Sequence, residues 1–157
     1  MEYAVQHPMT LITAGQYFWF TEYMSGSESN SFWGNPYTLS MSNPLPTKGI
    51  KTIYDPCPAG YRVAPDNFFV NAKTSETFDM GWAITFGDGE ASFFPAAGYR
   101  SDVEHTSNVG ASGYYMGNAM KRGSSWLPYF YLDDVGCKYG SGSRGENALS
   151  VRCVKEQ

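Results

Sequence analysis

At 157 residues the chain has room for one domain, 1–157, built round a single sizeable core. A net charge of −4 with only 11 scattered Lys and Arg excludes the basic footprint of a nucleic-acid binder, and no stretch approaches the roughly 18 apolar residues of a membrane-spanning helix. Aromatic and charged residues each make up 17%, and with 17 Gly and 9 Pro this mixture excludes disorder and favours short strands and turns over long helices.

The opening Met1-Glu2-Tyr3-Ala4-Val5 has neither a basic nor an apolar leader region, which reads as a mature domain cut from a longer precursor. Met9–Thr13 and Tyr17–Phe20 are apolar-rich strand candidates. Met24 to Ser31 forms a polar loop, and Asn43-Pro44-Leu45-Pro46 is a breaker that sets off the first third. A short helix is expected over Pro65 to Ala72, with Pro65 in the first turn. Gly81 to Phe94 carries the clearest pattern: Trp82, Ile84 and Phe86 alternate with polar or small residues, Gly87-Asp88-Gly89 supplies the turn, and Ala91 to Phe94 returns. That is a hairpin. Tyr129 to Leu132 suggests another strand, and Leu149, Val151 and Cys153 alternate with Ser150 and Arg152 as a half-buried one.

Letters that spell chemistry lack its context. Gly140-Ser141-Gly142-Ser143-Arg144-Gly145 fits G-x-G-x-x-G, but the following helix and acidic residue are missing, so it reads as a turn. His7 and His105 have no metal-type spacing; a turn role suits His7 before Pro8, and a solvated loop suits His105. No nucleophile motif occurs, so no catalytic centre, metal or cofactor is expected. Asn35-Pro36 and Asn43-Pro44 lack a preceding carboxylate, and Asp133-Asp134 lacks a preceding Trp-Asn, which disfavours calcium-dependent sugar binding. Three cysteines, Cys57, Cys137 and Cys153, leave two readings open: an exported protein with an odd thiol, or three reduced residues in a cytosolic one.

Three segments in order carry a resemblance: Asp55-Pro56-Cys57-Pro58-Ala59-Gly60-Tyr61-Arg62-Val63, Phe94-Pro95-Ala96-Ala97-Gly98-Tyr99-Arg100 and Leu149-Ser150-Val151-Arg152-Cys153-Val154. With Val5 to Thr10 and Trp33 to Pro36 upstream, they resemble the Fibrobacter succinogenes major-paralogous domain and the C-terminal domains of fimbrillin-like surface lipoproteins. The chain departs from that pattern at Ala64, where the family has Pro, and at Met116-Gly117-Asn118, where it favours Trp-Ser-Ser.

The resemblance implies an α+β, C-type-lectin-like fold, strand-rich with short helices and long loops. It also implies a Cys57–Cys153 disulfide, with Cys137 left free and without the nearby cysteine partner of formylglycine-generating enzymes. It further implies an extracellular, cell-surface location, a place beside other domains of one surface protein, and no membrane insertion by this domain. Ser101 to Arg144, rich in Tyr with Ser, Gly and Asn between, is then expected to form recognition loops for a protein or glycan on another cell. Tyr114, Tyr115, Trp126 and Tyr129 are the expected anchors, on loops that retroelement mutation could diversify. The alternative is a structural terminal domain of a pilus-like protein.

Overall fold

The computed structural model describes residues 51, 55–101, 105–118, 126–144 and 147–156. The expected strands at Met9–Thr13 and Tyr17–Phe20, the polar loop, the breaker at Asn43–Pro46 and His7 lie outside these residues. The chain runs β1 (Tyr61–Val63), a 3-10 turn (Asp66–Phe69), β2 (Ala72–Thr74), β3 (Gly81–Phe86), β4 (Ser92–Pro95) and β5 (Tyr99–Arg100). It continues with β6 (Thr106–Ser107), β7 (Gly113–Met116), β8 (Trp126–Leu132), β9 (Cys137–Arg144), β10 (Ser150–Val151) and β11 (Cys153–Lys155). Among the described residues the fold is β-rich with almost no helix, so the strand-rich expectation holds and the α+β label fits them poorly.

The expected helix over Pro65–Ala72 contracts to the single turn at Asp66–Phe69, opened by Phe68 N–H donating to the Pro65 carbonyl at 2.9 Å. Two demands stop it there. Phe68 and Phe69 both pack toward the core, Phe68 on Phe86 at 4.3 Å and Phe69 stacked on Phe130 at 4.9 Å between centroids. Ala72–Thr74 must then be extended to pair antiparallel with Phe86–Ile84 of β3.

β2, β3 and β4 form one sheet, and β10, β7, β8 and β9, in that order, form the second. The expected hairpin is present: Trp82 lies opposite Phe94 and Ile84 opposite Ser92, with Gly87 at φ +61° in the turn. Trp82, Ile84 and Phe94 face Tyr115, Phe130 and Leu132 of the second sheet, and Phe94 meets Tyr115 edge-on at 5.0 Å. The indole N–H of Trp82 donates to the Asp133 carbonyl at 2.6 Å and ties the first sheet to the turn between β8 and β9.

Gly140 to Arg144 is strand, not turn: Ser141 to Arg144 pair with Tyr129 to Trp126, and a register shift between Tyr129 and Phe130 leaves Gly140 unopposed. A neighbouring strand therefore overrides the turn propensity of its glycines and serines. Gly98, at φ +67°, sits where a Cβ would strike the Ser107 carbonyl, so the Ala-Ala-Gly-Tyr-Arg segment needs glycine there.

The last segment divides in two. β10 runs parallel to β7, whereas β11 pairs antiparallel with β1 and sets Cys153 opposite Val63. Val154, not Cys153, packs against the core, which corrects the expected alternation. Arg152 marks the break: its carbonyl accepts from Ala64 N–H at 2.9 Å, and its guanidinium lies 4.4 Å from the Phe94 ring centre and donates to the Phe93 carbonyl.

Cys57 and Cys153 are joined in a disulfide with Cα atoms 5.7 Å apart, and Cys137 is free. The bond spans 96 positions, so replacing both cysteines by Ala is expected to cost about 4–5 kcal/mol in the chain-entropy account, measured by urea unfolding. Mapping of a non-reduced digest should link these two residues and leave Cys137 alkylatable after unfolding. Phe130→Ala, which removes the ring stacked on Phe69, should cost about 3–5 kcal/mol in the same unfolding assay.

Candidate functional site

Side chains of a strand alternate between its two faces, and here the alternation separates neighbouring tyrosines. In β7, Gly113 and Tyr115 are buried while Tyr114 and Met116 are half-buried. In β8, Pro128, Phe130 and Leu132 are buried, whereas Tyr129 and Tyr131 turn to the other side. The antiparallel register sets Tyr114 opposite Tyr131, and Met116 opposite Tyr129.

Tyr114 is the hub of this outer face. Its ring centre lies 5.2 Å from Tyr131, 5.4 Å from Tyr129 and 4.9 Å from Tyr99 of β5. The contacts to Tyr99 and Tyr131 are edge-on and that to Tyr129 is tilted, arrangements that suit aromatic quadrupoles. Asn108 Nδ2 donates to the Tyr114 hydroxyl at 2.7 Å, and the Ser112 and Tyr131 hydroxyls share a hydrogen bond at 3.2 Å. Lys138, opposite Tyr131 on β9, carries its ammonium 5.3 Å from that ring centre.

The Ser112 hydrogen bond works to lower the Tyr131 pKa. Partial loss of water, the Asp133 carboxylate and Tyr114 outweigh it, so the phenol stands above its ordinary value. Asp133 itself closes the turn, its Oδ1 accepting from Val135 N–H at 3.0 Å and Gly136 N–H at 3.2 Å.

Of the four expected anchors, Tyr114 and Tyr129 sit on this face, and both are strand residues rather than loop residues. Tyr115 is a correction: it is 2% exposed, inside the core, with its hydroxyl donating to the Pro95 carbonyl at 2.5 Å. Trp126 opens β8 opposite Arg144, so the loop expected round it is also strand at that point. Tyr99, Asn108 and Lys138 are members that sequence reasoning missed. The alternating phase of Gly113-Tyr114-Tyr115-Met116 could have separated Tyr114 from Tyr115.

His105 is exposed, as its polar surroundings imply, and its carbonyl accepts from Ser101. Burial pushes the Cys137 thiol up, which makes it less reactive as a thiolate. Among the described residues no three His, Cys, Asp or Glu lie together as a metal-binding group, and no helix is long and apolar enough to cross a membrane. The face carries neutral rings, hydroxyls, one amide and one ammonium. No family model, no curated protein and no solved structure matches the chain.

Tyr115 gives the inner face a measurable signature. Burial raises its phenol from 10.0 to about 12, with the Arg152 guanidinium pulling the other way. The folded chain then keeps a proton that the unfolded chain has lost, so this contribution to stability is intact below about pH 10 and disappears as pH rises toward 12. Tyr115→Phe should flatten the fall in stability over that window, read by urea unfolding at a series of alkaline pH values.

Proposed function

We propose that this chain is a non-enzymatic binding module of the cell surface, in line with its resemblance to the terminal domains of fimbrillin-like lipoproteins and their C-type-lectin-like fold. The observation that carries the reading is the outer cluster of Tyr99, Tyr114, Tyr129 and Tyr131 on a disulfide-closed scaffold. A disulfide is the mark of an oxidising compartment, which supports export.

A glycan is the ligand that this surface suits best. Each tyrosine is half-buried and packed edge-on or tilted against another, so the area left for contact is small. Protein partners usually cover about 800 Å² per side, whereas one or two sugar units need a few ring faces and several hydroxyl partners. Tyr114 with Asn108, and Tyr131 with Ser112, supply those hydroxyls and an amide as two hydrogen-bonded pairs on adjoining segments.

The mutual packing of the four rings also supports a second reading, a structural terminal domain in which the tyrosines stiffen the outer face. A glycan array on the whole chain separates the two. Binding is expected, and Tyr131→Ala should weaken it by about 30-fold, the equivalent of about 2 kcal/mol, with Tm shifted by only a few degrees. Tyr115→Phe, altered on the inner face, should bind as the unaltered chain does. Absence of binding across the array, or equal binding by Tyr131→Ala, would favour the structural reading.

A further inference from the structure

The turn that carries Cys57 is built round a positive charge. Lys51 Nζ donates to the carbonyls of Cys57 at 2.6 Å and Pro58 at 3.0 Å, and to that of Tyr61. The Asp55 carboxylate stands 3.5 Å from the same nitrogen, and its side chain is wholly buried. An ammonium has three donors, and three carbonyls take them, so Asp55 acts on Lys51 chiefly as a charge. Each of its oxygens also accepts one main-chain N–H, Oδ1 from Cys57 at 2.8 Å and Oδ2 from Val63 at 3.0 Å, and Oδ1 keeps a second lone pair on the side of Lys51.

Main-chain carbonyls ordinarily point at N–H groups or at water, and the Pro58 carbonyl does accept Tyr61 N–H at 3.0 Å while it also faces Lys51. Three that converge on one point, with a carboxylate beside them, repel one another unless a cation sits between. We propose that the segment Asp55–Tyr61 is an oxygen cage for a hard cation, and that the Lys51 ammonium fills it as a tethered substitute for a metal ion.

Calcium is the metal that the cage fits. It takes six to eight oxygen ligands in flexible geometry, and carbonyls with a carboxylate are its usual protein donors. Three carbonyls and Asp55 provide four, and water can supply the rest from the side where the Lys51 chain, 23% exposed, enters. Magnesium demands a tight octahedron and sheds water reluctantly, so it should fit poorly. The tether has a consequence for the whole chain: the disulfide corner keeps its shape whatever the concentration of dissolved metal.

The test is thermal unfolding of the full chain and its Lys51→Ala variant, each with chelator, about 5 mM calcium or about 5 mM magnesium. The unaltered chain should melt at one temperature in all three. Lys51→Ala should melt about 5 °C lower in chelator, recover most of that loss in calcium, and gain little from magnesium. If the variant does not fold in chelator, refolding it with calcium against magnesium makes the same discrimination. A variant whose Tm falls and responds equally to both ions, or to neither, would overturn the proposal. So would a variant that melts with the unaltered chain in chelator.

Discussion

The buried carboxylate of Asp55 is the constraint on which the rest of the structure depends. Its two oxygens reach Cys57 N–H and Val63 N–H, residues six positions apart, and fold the chain between them into a closed turn. Unpaired, a buried carboxylate would be costly; here two main-chain donors and the Lys51 ammonium offset its lost hydration. The turn it shapes turns Cys57 inward and starts β1 at Tyr61, so that β11 can pair with β1 and bring Cys153 within bonding distance. The disulfide thus locks a geometry that hydrogen bonds have already defined.

From that corner, Arg152 carries order into the two sheets. Its main chain bonds to Ala64 just after β1, while its guanidinium spreads over Phe94 of the first sheet and lies 6.0 Å from Tyr115 of the second. A cation over a ring face is worth more when water is excluded, and a planar guanidinium can cover two rings where an ammonium could not. One residue therefore explains why the last segment splits, with β10 joining the four-stranded sheet and β11 pairing with β1 in a two-stranded one. Cys153 and Val151 lie two positions apart in different sheets because Arg152 between them has contacts of its own to keep.

What the sequence discloses follows the range of the physics. The β3–β4 hairpin is legible because alternation and the Gly-Asp-Gly turn act within a few residues. The region after Pro65 misleads because its helix-start signal is real, but Ala72–Thr74 is claimed by β3, a partner that no local pattern announces. Gly140–Arg144 misleads for the same reason, since β8 supplies the pairing. At the site, composition shows a tyrosine-rich region yet not its phase: Tyr114 and Tyr115 are chemically identical, and only the register against Tyr131 and Phe130 assigns one outward and one to the core. The cage round Lys51 is illegible altogether, because its acceptors are main-chain carbonyls whose identity no side chain encodes.

The two faces of the large sheet are coupled through the same backbone, and this bears on how an outer surface could stay ordered. Inward, Tyr115, Phe130 and Leu132 are fixed by a core that also holds Phe69, Phe94 and Trp82. Each inward side chain in a strand fixes the direction of its outward neighbours, so Tyr114, Tyr129 and Tyr131 inherit their spacing from the packing beneath. The ring-to-ring contacts and the two side-chain hydrogen bonds then restrict the remaining rotamers. A ligand meeting this face would find its partners already oriented and would lose little side-chain entropy on binding, which is where a small contact area most needs help. A loop-borne set of tyrosines would lack that support. In the proposed binding role, the anchors Tyr114 and Tyr129 would act from a sheet that holds them from below and not from loops.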